Sequence, residues 1–322
     1  MTKYTHYQLI VVGGGPAGMA AALSALNNGL TRILVVERDF MLGGILNQCI
    51  HPGFGIEYFD EALTGPEYAW RFIDMLSGTE IEVLTDTMVL SVSSDKTVHL
   101  AGKKHGYAAY STDSIVMATG CRERARGALG IAGTRPAGVF TAGTAQRYVN
   151  IEGYMPGTGI VIVGSGDVGL IMARRMTLEG AKVLCVVEIL PRPGGLLRNV
   201  VQCLNDFDIP LLLSHTVTDI RGRERVEEVI VSQVDEHRNA IAGTEQSFSC
   251  DTVLLSAGLI PENELLSAAG ITIETNKIQT SAPGIFVCGN ALQVHDIVDN
   301  VTLEAELAGA EAAKFVKENV YG

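Results

Sequence analysis

The chain is short of paired cysteines. Six Cys are scattered through 322 residues, at 49, 121, 185, 203, 250 and 288. None stands in C-x-x-C or zinc-knuckle spacing, which argues against a secreted disulfide framework and a structural zinc site. The seven His show no paired ligand spacing either, so no metal is expected. Proline is also scarce, at 10 residues. The 36 Gly, about 11% of the chain against a usual ~7%, are therefore not a linker signature and must serve particular backbone positions. Basic residues are in deficit, 24 against 36 acidic for a net charge of −12, which repels phosphate backbones and excludes nucleic acid as a partner. The one long uncharged run, Gln8 to Thr31, is broken by Gly13, Gly14, Gly15 and Pro16, so neither a leader peptide nor a membrane span is expected. The cysteine usage fits a reducing, cytoplasmic setting, which is the expectation. With 47% apolar and 19% charged residues, the length suits about two packed domains.

What is present is a repeat. Ile-Val-Val-Gly at 10 to 13 and Val-Ile-Val-Gly at 161 to 164 open two segments that align without a gap at an offset of 151 residues. Gly13, Gly15, Gly18, Ala22, Gly29 and Glu37 of the first fall on Gly164, Gly166, Gly169, Ala173, Gly180 and Glu188 of the second. Each segment reads as an apolar strand, a glycine turn, a helix ended by Gly29 or Gly180, and a second strand over Ile33 to Val36 or Val183 to Val187. That is a β-α-β unit, twice, with the G-x-G-x-x-G spacing of a dinucleotide turn. The first Gly makes the tight turn, the second lets a pyrophosphate approach the backbone, and the third lets helix and strand pack closely. Pro16, Ala17, Asp167 and Val168 open the two helices, whose first N–H groups face an anion. Glu37 and Glu188 end the second strands, where a carboxylate accepts hydrogen bonds from ribose hydroxyls; Arg38 follows the first of them. Glu188 favours NAD(H) over NADP(H), since it repels a 2′-phosphate.

A second repeat joins Asp113 to Gly120 with Asp251 to Gly258 at an offset of 138 residues. Each reads as a buried strand ending in a small-residue turn, at Ala118-Thr119-Gly120 and Gly258, where the chain passes between domains. The expectation is an α/β protein of two Rossmann-like dinucleotide-binding domains, the second inserted in the first: residues 1–122 with 255–322, and 123–254.

The glycine turns, Ala118-Thr-Gly120 and Gly284-Ile-Phe-Val-Cys-Gly289-Asn290 together resemble the two-dinucleotide-domain flavoproteins of the thioredoxin and glutathione reductase class. Leu42-Gly-Gly44 through Cys49, with Pro136 through Gln146, resembles a narrower branch. That branch holds flavin subunits of hydrogen cyanide synthase, opine dehydrogenase and sarcosine oxidase, and oxidoreductases associated with glycerol-3-phosphate dehydrogenase. The resemblance implies FAD on the discontinuous N-terminal domain, a nicotinamide nucleotide on the inserted one, hydride transfer between them, and dehydrogenase partner subunits or oligomers. Thr302 to Asn319 has helical composition, with Lys314 and Lys317 near its end and Thr302 as its expected cap, and the resemblance implies that the N-terminus of this helix faces the flavin. Two departures stand out. The family's Gly-Asp is Gly289-Asn290 here, whose amide oxygen still accepts a hydroxyl, and the redox cysteine pair is absent.

No catalytic residue is fixed by these patterns. Cys49 and His51 follow Gly43-Gly44 and are candidates for thiol redox or acid-base work, against the plainer reading of a buried thiol and a structural loop histidine. His295 with Asp296 and Asp299 has a similar standing. Arg122, Arg124 and Arg126 offer an anion site or a solvated, ion-paired connection. The leading expectation is an FAD- and NAD(H)-linked oxidoreductase working as one subunit of a larger dehydrogenase. The alternatives are a self-contained NADH oxidase or peroxidase using Cys49, and a non-catalytic FAD-binding assembly subunit.

Overall fold

Strand β1 (His6–Val12) is buried on both faces, as its near-continuous apolar run requires of a central parallel strand. The computed structural model to which it belongs describes residues 5–320. After β1 come helix α1 (Pro16–Asn27), β2 (Ile33–Val36), α2 (Gly65–Ser77), β3 (Glu82–Leu84), β4 (Thr87–Val92), β5 (Thr97–Gly102) and the long β6 (Gly106–Met117). They form a sheet in the order β3-β2-β1-β6-β5-β4, parallel from β3 to β6 and antiparallel beyond. A return strand, Ile285–Val287, pairs parallel with β6. Leu9 and Val11 feed the core on one face, where α1 and the C-terminal helix Val298–Val320 lie, while Ile10 and Val12 feed the core on the other. Gly309 lets that helix approach α1: a Cβ there would fall 2.1 Å from the Ala21 carbonyl oxygen.

A second sheet is built from β7 (Val139–Thr141), β8 (Gly159–Val163), β9 (Lys182–Glu188), β10 (Leu211–Leu213) and a later strand. Helix α3 (Asp167–Leu178) joins β8 to β9. An antiparallel set, β11 (His215–Arg221), β12 (Glu228–Gln233) and β13 (Gln246–Ser249), follows, and β14 (Thr252–Leu255) returns to the parallel sheet, which runs β7-β14-β8-β9-β10. Both sequence offsets survive in the register. Val11 pairs Val35 and Val116 in the first sheet, and Ile162 pairs Val186 and Leu254 in the second.

The chain divides into two compact units, Met1–Arg122 with Pro261–Gly322, and Glu123–Ile260. The second crossing falls six residues beyond the expected 254/255, because Leu255 is held in the second sheet opposite Thr141 and Val163. The C-terminal helix also differs from expectation, beginning at Val298 rather than Thr302. Among the described residues no helix is long and apolar enough to cross a membrane.

Candidate functional site

In the first unit the turn after β1 is forced by packing at two of its glycines. Gly13 has φ +109°, and a Cβ on Gly18 would fall 1.8 Å from the Gly13 carbonyl oxygen. Gly15 is different: its φ of −75° suits any residue, and a Cβ there meets only Gly44 Cα at 4.0 Å. Neither its backbone conformation nor its neighbours demand glycine at 15, which leaves open space against this backbone. Pro16 opens α1 and no side chain caps it, so the helix start at Ala17 and Gly18 has the build that suits an anion. Glu37, 6% exposed, accepts from Gly14 N and Asp39 N, each at 2.7 Å. Arg38 beside it is exposed. The Gly43-Gly44 segment lies against the turn through Gly43 N to Gly14 O at 2.8 Å.

The second unit repeats this construction. Gly164 has φ +98°, and a Cβ on Gly169 would sit 2.5 Å from the Gly164 oxygen. Gly166, with φ −63°, has nothing within 4 Å of its Cβ position, and α3 is uncapped by any side chain. Glu188, 7% exposed, accepts from Ser165 N at 2.9 Å, Ser165 Oγ at 2.6 Å and Leu190 N at 2.9 Å. Asp167 holds the loop beyond Gly195 by accepting from Leu196 N at 2.9 Å and Asn199 Nδ2 at 2.7 Å. Val168 is exposed on the first turn of α3, and Gly258 takes φ +99° just past β14.

At the sheet's C-terminal edge in the first unit, Ala118 is buried, Thr119 donates to Glu262 O at 2.7 Å, and Gly120 has φ +71° with nothing within 4 Å of its Cβ position. Gly289 has φ +62° and donates its N–H to Glu304 Oε1 at 2.6 Å. Asn290 Oδ1 accepts from His295 N at 3.0 Å, and its Nδ2 faces Cys121 Sγ at 3.6 Å. Glu304 also takes His295 Nε2 and Gln293 Nε2, each at 3.1 Å, so His295 braces this loop. Thr302 does not cap the helix. It lies in the second turn, fully buried, with Oγ1 2.6 Å from the Tyr68 hydroxyl. Asp299 instead ties the helix start to the Gly55 loop, accepting from Gly55 N at 3.1 Å and Glu57 N at 2.9 Å.

Cys49 donates to Ile45 O at 3.3 Å, and burial pushes its thiol up to about 12, away from the thiolate that redox work requires. His51 packs on Phe54 with ring centroids 5.0 Å apart. Of the three arginines, Arg122 is ion-paired to Glu262 and Glu264, and Arg126 donates to the carbonyls of Ile131, Ala132 and Thr134. These two are structural. Sequence reasoning missed Ser165, Tyr68 and Glu304, which act through side-chain bonds to Glu188, to Thr302 and to the loop from Gly289 to His295.

Two turns of this build, each at the C-terminal edge of a parallel sheet, define a protein of two dinucleotide-binding domains. The chain belongs to the pyridine nucleotide-disulphide oxidoreductase family, whose pattern matches residues 7–312. Members of this family are oxidoreductases that use FAD and NAD(P)H. The chain is 26% identical to an opine oxidase subunit of Agrobacterium tumefaciens (strain Ach5) over 96% of its own length and 63% of that protein, so it spans less than two thirds of this relative. It is 28% identical to a thioredoxin reductase of Listeria innocua over 97% of its length and 94% of the relative. The fold is that of Lactococcus lactis thioredoxin reductase, with a TM-score of 0.78 at 21% identity over 97% of this chain and 99% of that one. The open positions at Gly15 and Gly166, each before an uncapped helix and beside a bonded carboxylate, fit the diphosphate and ribose of such cofactors.

Proposed function

We propose that the chain mediates hydride transfer between NAD(H) held by the second unit and FAD held by the first, as the flavin-bearing subunit of a larger dehydrogenase. The observation that carries this reading is the pair Gly15 and Gly166, glycines that neither backbone conformation nor internal packing requires. When bound, the two cofactors supply the hydride donor and acceptor. The chain's residues do the rest. The N–H groups at the start of α1 and α3 hold the diphosphates, and Glu37 and Glu188 hold the ribose hydroxyls. Gly120, Gly289 and Asn290 form the edge against which the flavin chain lies, and Asn290 offers one uncharged acceptor there.

Transfer through a redox dithiol has no support in the cysteine spacing, whose closest pair along the sequence, Cys185 and Cys203, stands 18 residues apart. An oxidase or peroxidase working through Cys49 is disfavoured by the same thiol's raised pKa. The reading as one part of a larger enzyme draws on the likeness to the opine oxidase subunit.

Anaerobic titration of the purified protein with NADH tests the proposal. The flavin band should bleach at one NADH per flavin, and NADPH should bleach it only at higher concentration. A flavin left oxidised by NADH would favour an inert assembly role. Uptake of two NADH per flavin would restore a dithiol. Full substrate turnover by a lone homo-oligomer on gel filtration would remove the partner subunits.

A further inference from the structure

The two ribose carboxylates are held differently. In the first unit, Glu37 accepts from Gly14 N and Asp39 N, and position 14 carries no side chain: a Cβ would lie 2.4 Å from Leu42 Cδ2 and 3.0 Å from Glu37 Cβ, so those side chains would have to shift to admit one. In the second unit the matching position is Ser165, which is wholly buried. Its Oγ donates to Glu188 Oε2 at 2.6 Å and accepts from Gly194 N at 2.9 Å. Its backbone N donates to the same Oε2 at 2.9 Å, and its carbonyl accepts from Gly195 N at 2.8 Å. Leu190 N takes Oε1 at 2.9 Å. The hydroxyl thus joins the carboxylate, the glycine turn and the Gly194-Gly195 loop at one buried point.

We infer that Ser165 is a specificity-determining positioning residue: by locking Glu188 it makes the second unit accept an adenosine ribose with a free 2′-hydroxyl and reject one carrying a 2′-phosphate. A carboxylate free to rotate relieves its repulsion of a phosphate by turning away. One held by a hydroxyl and two N–H groups cannot turn without leaving buried donors unpaired. Near-complete burial also keeps solvent ions from screening the repulsion. The inference rests on the reading of Glu188 as the ribose-binding carboxylate of the nicotinamide site.

Calorimetric titration of the full flavin-loaded protein with ADP-ribose and with 2′-phospho-ADP-ribose gives the ratio of Kd values. Wild type should favour ADP-ribose. Ser165→Ala should narrow the ratio about tenfold. Ser165→Gly, which installs the residue found at position 14 of the first unit, should do the same. In a Glu188→Ala background, Ser165→Ala should change the ratio no further, since nothing remains to be held. A merely structural role would weaken both ligands alike and leave the ratio in place. A ratio unmoved by both Ser165 variants but collapsed by Glu188→Ala overturns the proposal and keeps Glu188 as the ribose residue. Equal binding of both ligands by wild type, or a ratio untouched by Glu188→Ala, overturns that reading and the proposal with it.

Discussion

A Cβ at Gly18 meets the Gly13 oxygen at 1.8 Å, whereas one at Gly15 meets nothing closer than 4.0 Å. The same substitution therefore has opposite readouts at the two positions. Gly18→Ala should destabilise the flavin-free protein by about 1–3 kcal/mol, because backbone must shift to admit the methyl. Gly15→Ala should leave its thermal unfolding within ~0.5 kcal/mol of wild type yet lower flavin content on purification, and Gly166→Ala should keep the flavin and lose reduction by NADH. Retention of full flavin by a folded Gly15→Ala protein would show that nothing approaches that backbone. Cys49 makes a separate case. Its folded thiol is raised to about 12 from an ordinary 9.0, so it stays protonated through neutral pH. Iodoacetamide at pH 8 should label it about a thousandfold more slowly in the native protein than in the unfolded chain, as read by peptide mass spectrometry. The sign for stability follows from the same shift. Below pH 9 both states keep the proton and the contribution is intact; it is lost as pH rises from 9 towards about 12, where only the unfolded chain has ionised.

The C-terminal helix shows how an element's start escapes a local reading. Thr302 is the residue type that caps helices, but its hydroxyl is claimed by Tyr68, 234 residues away, and the helix runs on back to Val298. The true anchor is Asp299, buried against two N–H groups of the Gly55 loop. Asp299→Ala leaves those donors unpaired and should cost about 1–3 kcal/mol in urea unfolding, with Asp299→Asn losing less because one acceptor oxygen remains. An unchanged midpoint for Asp299→Ala would mean that water takes over both donors. The turns fared otherwise: Gly13 to Gly18 and Gly164 to Gly169 were legible because each is a local backbone device repeated at a fixed offset, and Glu37 and Glu188 sit at a fixed distance beyond. Ser165, Tyr68 and Glu304 were not, since each acts through a partner that only the folded chain brings near. A serine between two glycines carries no local mark of the carboxylate 23 residues on that it holds.

Each unit has its own sheet and its own pair of cores, so a ligand of one should be felt there first. ADP-ribose at a hundred times its Kd adds about 2.7 kcal/mol to the state that binds it. Hydrogen exchange should slow by up to roughly a hundredfold across Gly164–Gly169 and β9 while Gly13–Gly18 is unaffected. Equal protection of both turns would mean that the ligand does not discriminate between the two sites. Both repeats end at the same kind of small-residue turn, close to the places where the chain passes between the units; the second passage lies beyond Leu255, which has strand neighbours on both sides. Ser114 on β6 bonds to Gly284 beside the return strand, 170 residues later. At usual rates of translation the ribosome takes roughly ten to thirty seconds to supply that stretch. During this interval the contiguous second unit emerges whole, while β6 still lacks a neighbour and the alanine face of α1 lacks the helix that covers it. The nascent chain is thus most exposed to premature pairing in its earliest residues, and a ribosome that stops short of Ile285 leaves its damage at the opposite end.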